Sequence, residues 1–132
     1  DRWRRGCRMM SAALPVMVAG LLPIVCAGIS KWGARDYDNH DPRAWLARQD
    51  SWRARANAAQ NNSLEAFPFF AAAVLLALHG GADAAVVAQW GWAFVALRLV
   101  YIYCYVADRA SLRSIVWLLG LAVVIRLFAM AF

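Results

Sequence analysis

Arg55, Asn62 and Glu65 are separated by seven and three residues, and Arg98, Tyr101 and Tyr105 by three and four. Positions three, four and seven apart lie above one another on an α-helix, so each set forms a stripe on one helical face. Together the stripes offer two guanidiniums, two phenols, an amide and a carboxylate. Arginine pairs with carboxylates bidentately, glutamate holds an ammonium group, and tyrosine and asparagine add neutral hydrogen bonds. Such a set suits a small zwitterionic ligand that carries carboxylates. It suits equally well a set of polar side chains that satisfy one another between packed helices and lock a bundle. Spacing leaves both readings open. Gln60 sits on the flank of the first stripe, and Arg113 with Ser114 opens a later apolar segment at the same level.

The elements that must carry these stripes are membrane spans. The run RARANAAQNNSLEAFPFF, residues 53–70, passes from ionisable groups directly into an apolar segment. An unpaired polar group in hydrocarbon costs several kcal/mol, so Asn62 and Glu65 there require a partner or a wet cavity. With 63% hydrophobic and 17% charged residues in a chain of 132, and a mean hydropathy of +0.48, the composition excludes a small soluble domain. A helix rising about 1.5 Å per residue needs roughly 20 residues to cross a hydrocarbon core of about 30 Å. Four such stretches are present: about Met10 to Ile29, Asn57 to Leu78, Ala84 to Val106 and Ser114 to Phe132. The expected fold is all-α, a single antiparallel four-helix membrane domain covering residues 1–132.

Only HGGAD separates spans two and three, and only ADRASLR separates three and four, so these neighbours pack antiparallel. The first connection is long and polar. Within it, Asp41 followed by Pro42 predicts a capped helix running to about Arg48, with Trp45 and Leu46 resting on the membrane interface. Lys31, Arg35, Arg43, Arg48, Arg53, Arg55, Arg109 and Arg113 lie on the side of the first and third loops. The positive-inside bias therefore puts those loops in the cytoplasm, with Arg2, Arg4, Arg5 and Arg8 as a smaller opposing cluster. Met10 to Ala27 has the length and basic flank of a signal sequence, but Pro15, Pro23 and the basic loop that follows fit a retained span better.

Other features are structural on this reading. Three cysteines make no disulfide framework; Cys26 and Cys104 fall inside spans, and Cys7 lies near the N-terminus. His40 and His79 stand alone, and no spacing of metal-ligating types points to a metal site. Trp32, Trp90 and Trp92 mark span ends, where indoles favour the interface. Arg126 is close enough to the C-terminus to reach the surface by extending its side chain. Pro68 frees the carbonyl of Leu64, and Gly80 with Gly81 ends the second span. The net charge of +6 belongs to loops beside anionic headgroups, and no element resembles a nucleic-acid reader.

The segments RARANAAQNNSLEAFPFF and ALRLVYIYCYVADRASLRS resemble the MAPEG family, membrane-associated proteins in eicosanoid and glutathione metabolism. The family's second-helix pattern of Arg, Gln, Asn, Glu and Pro is matched by Arg55, Gln60, Asn62, Glu65 and Pro68. Its third-helix pattern is matched by Arg98, Tyr101 and Tyr105, and the arginine that follows by Arg113. DNHDPRAWL is similar to the first loop of small bacterial members, which implies a bacterial inner membrane.

The resemblance implies a homotrimer with glutathione bound between subunits near the cytosolic face. Arg113 would hold the glutathione sulfur as thiolate with Ser114 as the next donor, while Arg55, Gln60, Asn62, Glu65, Arg98, Tyr101 and Tyr105 would bind the peptide. A lipophilic electrophile arriving from the lipid would be the second substrate. One position departs from the pattern: several members carry a further arginine four residues before the asparagine, where this chain has Ala58. A carboxylate anchor is thereby lost. The second functional expectation is accordingly a non-catalytic subunit that keeps the family fold within a larger membrane complex.

Overall fold

The structure, a computed structural model, describes residues 2–132. Five helices follow in order: α1 (Arg2–Lys31), α2 (Pro42–Ala47), α3 (Ser51–His79), α4 (Ala84–Val106) and α5 (Ala110–Ala129). No strand occurs among the described residues. All except α2 are long and apolar enough to cross a membrane. α3 and α4 form the middle of the bundle, and each packs against both α1 and α5.

Small residues bring the helices together. Ala56, Ala59, Ser63, Ala73 and Ala77 are all buried on α3, and without a water-driven hydrophobic effect in lipid such short side chains let backbones approach closely. α4 is apolar nearly all round and buries Val87, Ala88, Gly91, Phe94 and Val95, as a central helix must. Phe70 of α3 stacks on Phe94 of α4 with ring centroids 4.0 Å apart. Pro15, inside α1, is buried against Gly91 of α4. A Cβ at position 91 would sit 2.7 Å from the Pro15 ring. A pyrrolidine ring cannot move aside as a long side chain can, so Gly91→Ala must push α1 away from α4. The expected cost is about 1–3 kcal/mol, the usual range for an overpacked core. It would be read as a lowered thermal midpoint in detergent, and an unchanged midpoint would refute this account of the contact.

The connections hold closely to expectation, with two differences. Asp41 caps α2 by accepting from the Ala44 amide at 3.1 Å, with Pro42 in the first turn. Trp45, however, is buried rather than lying on the interface, and Leu46 is half-buried. The indole meets the Tyr37 ring edge-on at 5.1 Å, and Lys31 lies over the other ring of that stack at 4.8 Å from the Tyr37 centroid. The folded loop thus packs this tryptophan inside the subunit, with its indole Nε1 buried and without a hydrogen-bond partner. The second difference is helix length. α1 begins at Arg2, α3 at Ser51 and α5 at Ala110, each earlier than its apolar stretch. The polar first turns of α3 are helical because Arg53 and Arg55 find backbone acceptors at 3.0 Å on Ser30 and 3.1 Å on Val106.

At the α4–α5 turn, Asp108 adopts a left-handed conformation with φ of 60°, which aspartate tolerates better than most residues. The Arg109 amide reaches back to the Cys104 carbonyl at 2.8 Å, closing the end of α4. Arg113 then bonds through its amide to Arg109 at 2.9 Å in the first turn of α5. This tight reversal fixes Tyr105 and Arg113 side by side.

Candidate active site

Two adjoining cavities lie between α3, α4 and α5. The outer one, of about 400 Å³, is lined by Asn62, Tyr101, Arg113, Ser114, Trp117 and Leu118. The inner one, of about 210 Å³, runs deeper into the bundle and shares Asn62, Tyr101 and Trp117 with it. Glu65 and Arg98 stand where the inner cavity is polar; Phe69, Phe94, Leu97 and Val124 make its apolar walls. Polar vestibule and apolar groove therefore form one cleft.

Arg98 is only 4% exposed. Its Nη2 donates to Ser63 Oγ at 3.1 Å, and its guanidinium lies 4.2 Å from the centroid of Tyr101. Ser63 in turn donates to the Ala59 carbonyl at 2.8 Å. A buried guanidinium with one hydroxyl acceptor and one aromatic face keeps donors to spare, since the group carries five N–H bonds. Tyr101 meets Tyr105 edge-on at 5.8 Å, and Arg113 lies 4.3 Å from the Tyr105 centroid. Two cation–π pairs, one turn apart on α4, thus hold two guanidiniums toward the same cleft.

Asn62 Oδ1 is buried without a hydrogen-bond partner. A buried amide left unpaired costs stability unless something else completes it, and this one lines both cavities. Ser114 lines the vestibule while its hydroxyl donates to the Ala110 carbonyl at 3.2 Å, leaving its oxygen lone pairs facing outward. Glu65 lines the inner cavity yet remains exposed within the single subunit. An exposed carboxylate at that depth calls for a covering partner.

Six of the nine residues singled out by sequence therefore line the cleft: Asn62, Glu65, Arg98, Tyr101, Arg113 and Ser114. Tyr105 supports Arg113 from behind. Two stand apart within the subunit. Arg55 donates through Nε to the Val106 carbonyl at the end of α4. Gln60 lies seven residues from both Arg53, which bonds to Ser30 of α1, and Phe67, which packs on Gly20 of α1. It therefore faces α1, away from the cleft, and its Oε1 is buried without a partner.

Ser63 and Trp117 join the site without having been singled out. Ser63 sits among buried alanines and reads as a space-filler, but its place in the Ala56, Ala59, Ser63 row marks the face where helices come closest. Trp117 follows Arg113 by four residues, one turn along α5, and that spacing was its signal. Among the described residues, no group of three His, Cys, Asp or Glu side chains could hold a metal ion.

A model of the MAPEG family matches residues 11–132, nearly the whole chain. The chain matches no curated protein and no solved structure.

Proposed function

The chain belongs to the MAPEG family, and from that premise we propose that it is a membrane-bound glutathione-dependent transferase or peroxidase acting on lipophilic electrophiles. The supporting observation is the cleft itself, which joins a vestibule holding the Arg113 guanidinium and an unpaired amide to an inner groove that is apolar except beside Glu65 and the buried Arg98.

In this reading Arg113 pairs with the glutathione sulfur. A free thiol has a pKa near 8.5 and is mostly protonated at neutral pH; an adjacent guanidinium favours the anion, which is the nucleophile. Ser114 supplies a second hydrogen bond by turning its hydroxyl from the Ala110 carbonyl to the sulfur. Arg98, Asn62, Glu65, Tyr101 and Tyr105 position the peptide, with glutamate on the ammonium and the cations and amide on the carboxylates and backbone. In transfer, the sulfur lone pair forms the new bond to carbon and the leaving group departs with the old bonding pair. With a hydroperoxide, the thiolate attacks the terminal oxygen and becomes a sulfenic acid while the alkoxide leaves and takes a proton; a second glutathione thiolate then displaces hydroxide, released as water, to form the disulfide.

Glu65, exposed on α3, finds a use in a closed homotrimer whose sites are completed by a neighbouring subunit. A closed ring of copies also covers polar groups that lipid cannot. The first and third loops are then cytoplasmic in a bacterial inner membrane, the side on which basic residues accumulate. Ala58 favours a second reading, a family-fold subunit without activity, because it removes a cation from this face.

Calorimetry of the detergent-purified protein with glutathione, combined with the ultraviolet thiolate band and native mass spectrometry, tests the proposal. Saturable binding with a thiolate signal and a trimeric mass is the expected result. A protein that assembles but neither binds glutathione nor shows the band is the non-catalytic subunit.

A further inference from the structure

Among the described residues Arg98 has no counter-anion. Its guanidinium is buried where α1, α3 and α4 meet, and the titratable groups around it are Tyr101 of α4 and Cys26 of α1, neither of them a carboxylate. Cys26 is fully buried and belongs to one cluster with Leu22, Ala59 and Ile102. The side-chain acceptor is the neutral hydroxyl of Ser63, 3.1 Å from Nη2. Buried charges are ordinarily paired, and an aspartate at position 63 would set a carboxylate beside the same nitrogen. The choice of a hydroxyl there is therefore informative.

The hydroxyl is also fixed in direction. Ser63 has a single proton and donates it to the Ala59 carbonyl at 2.8 Å, one helical turn back. Toward Arg98 it offers lone pairs only. It holds Nη2 without neutralising the cation, and the Tyr101 ring, 4.2 Å from the guanidinium carbon, steadies the plane. With Nη2 held on the α3 side, the other N–H groups are left for the inner cavity, which Arg98 lines together with Asn62 and Glu65. A side chain ordered before its ligand arrives loses less freedom on binding.

We propose that Ser63 is a positioning residue acting through Arg98: as a neutral acceptor it aims the guanidinium at the cavity and leaves the charge for a carboxylate of the bound thiol peptide. The identity of that anion rests on the glutathione reading; the aim of Arg98 does not.

The test is a set of variants of the full chain in detergent, read by NMR of ¹⁵N-labelled arginine and by calorimetry with glutathione. A guanidinium held at one nitrogen turns slowly about its Nε–Cζ bond, so Nη1 and Nη2 of Arg98 give separate signals, assigned by their loss in Arg98→Met. Ser63→Ala should merge them and weaken glutathione binding about threefold to tenfold, the span expected for an ordinary hydrogen bond. Ser63→Asp should keep them separate yet weaken binding about tenfold or more, because the new carboxylate takes the charge from the ligand. Adding Ser63→Ala to Arg98→Met should cost no further affinity, since a residue that acts through another has nothing left to act on. Merged signals in the wild type, separate ones in Ser63→Ala, or a full additional loss in the double variant would overturn the role. Wild-type affinity in Ser63→Asp would overturn it as well. Should Ser63→Asp not assemble, the alanine and double variants decide. A wild type that binds no glutathione, with Arg98 signals that still depend on Ser63, would support the aim of Arg98 while removing the reaction proposed above.

Discussion

Replacing Arg113 by alanine is expected to slow conjugation severely while leaving the bundle assembled. The guanidinium is half-buried at the first turn of α5, held over Tyr105 and facing the vestibule, and no side-chain hydrogen bond within the subunit consumes it. Its structural role is thus small, so on the proposed reading its removal acts mainly on the glutathione sulfur. Loss of one charge-assisted contact to a thiolate in a desolvated site costs on the order of 2–4 kcal/mol in the transition state, a rate drop of about 30-fold to 1000-fold. Initial rates with a single-ring aryl halide, at saturating glutathione, measure it directly. Conjugation at the wild-type rate by Arg113→Ala would defeat the assignment.

Arg98→Met separates a binding residue from a helix lock. A buried charge whose partners are one hydroxyl and one aromatic face is poorly compensated, and replacing such a group by an apolar one of similar length is often neutral or stabilising. If Arg98 only joined α4 to Ser63 of α3, the variant would melt at or above the wild-type temperature and nothing else would change. The proposed role adds a second consequence. Glutathione affinity should fall about 10-fold to 150-fold, corresponding to the roughly 1.5–3 kcal/mol of a hydrogen bond to a charged group. Calorimetry beside thermal unfolding reads both quantities on one sample. Unchanged affinity with unchanged stability would return Arg98 to the bundle as an ordinary polar side chain.

Much of this organisation is legible before any coordinates. Hydropathy and length give the four spans, because lipid demands long apolar helices, and Asp41 with Pro42 announces α2 because its chemistry is local. The Arg98, Tyr101, Tyr105 stripe is equally plain, since helical periodicity alone fixes a common face. What periodicity cannot supply is the neighbour opposite that face. Gln60 sits next to the Asn62 stripe in sequence yet turns to α1, and only the packing of Arg53 and Phe67 decides it. Arg55 shares a face with Asn62 but is drawn to a backbone carbonyl on Val106. Trp45 resembles an interfacial indole until the fold of the first loop brings Tyr37 against it. Ser63 is the hardest to foresee. A single hydroxyl in a row of alanines acquires its part only because Arg98 lies across from it.

Arg53 and Arg55, two positions apart on α3, point to opposite sides and take hold of carbonyls near the ends of α1 and α4. Both carbonyls lie at C-terminal helix ends, the negative poles of their dipoles, where a guanidinium is favoured. Three spans are thereby pinned at one common level. A thicker or thinner bilayer cannot be met by sliding one of them past the others without breaking these bonds, so hydrophobic mismatch is answered by tilting the subunit as a unit. The relative heights of Asn62, Arg98 and Tyr101 in the cleft then stay constant from one membrane to another.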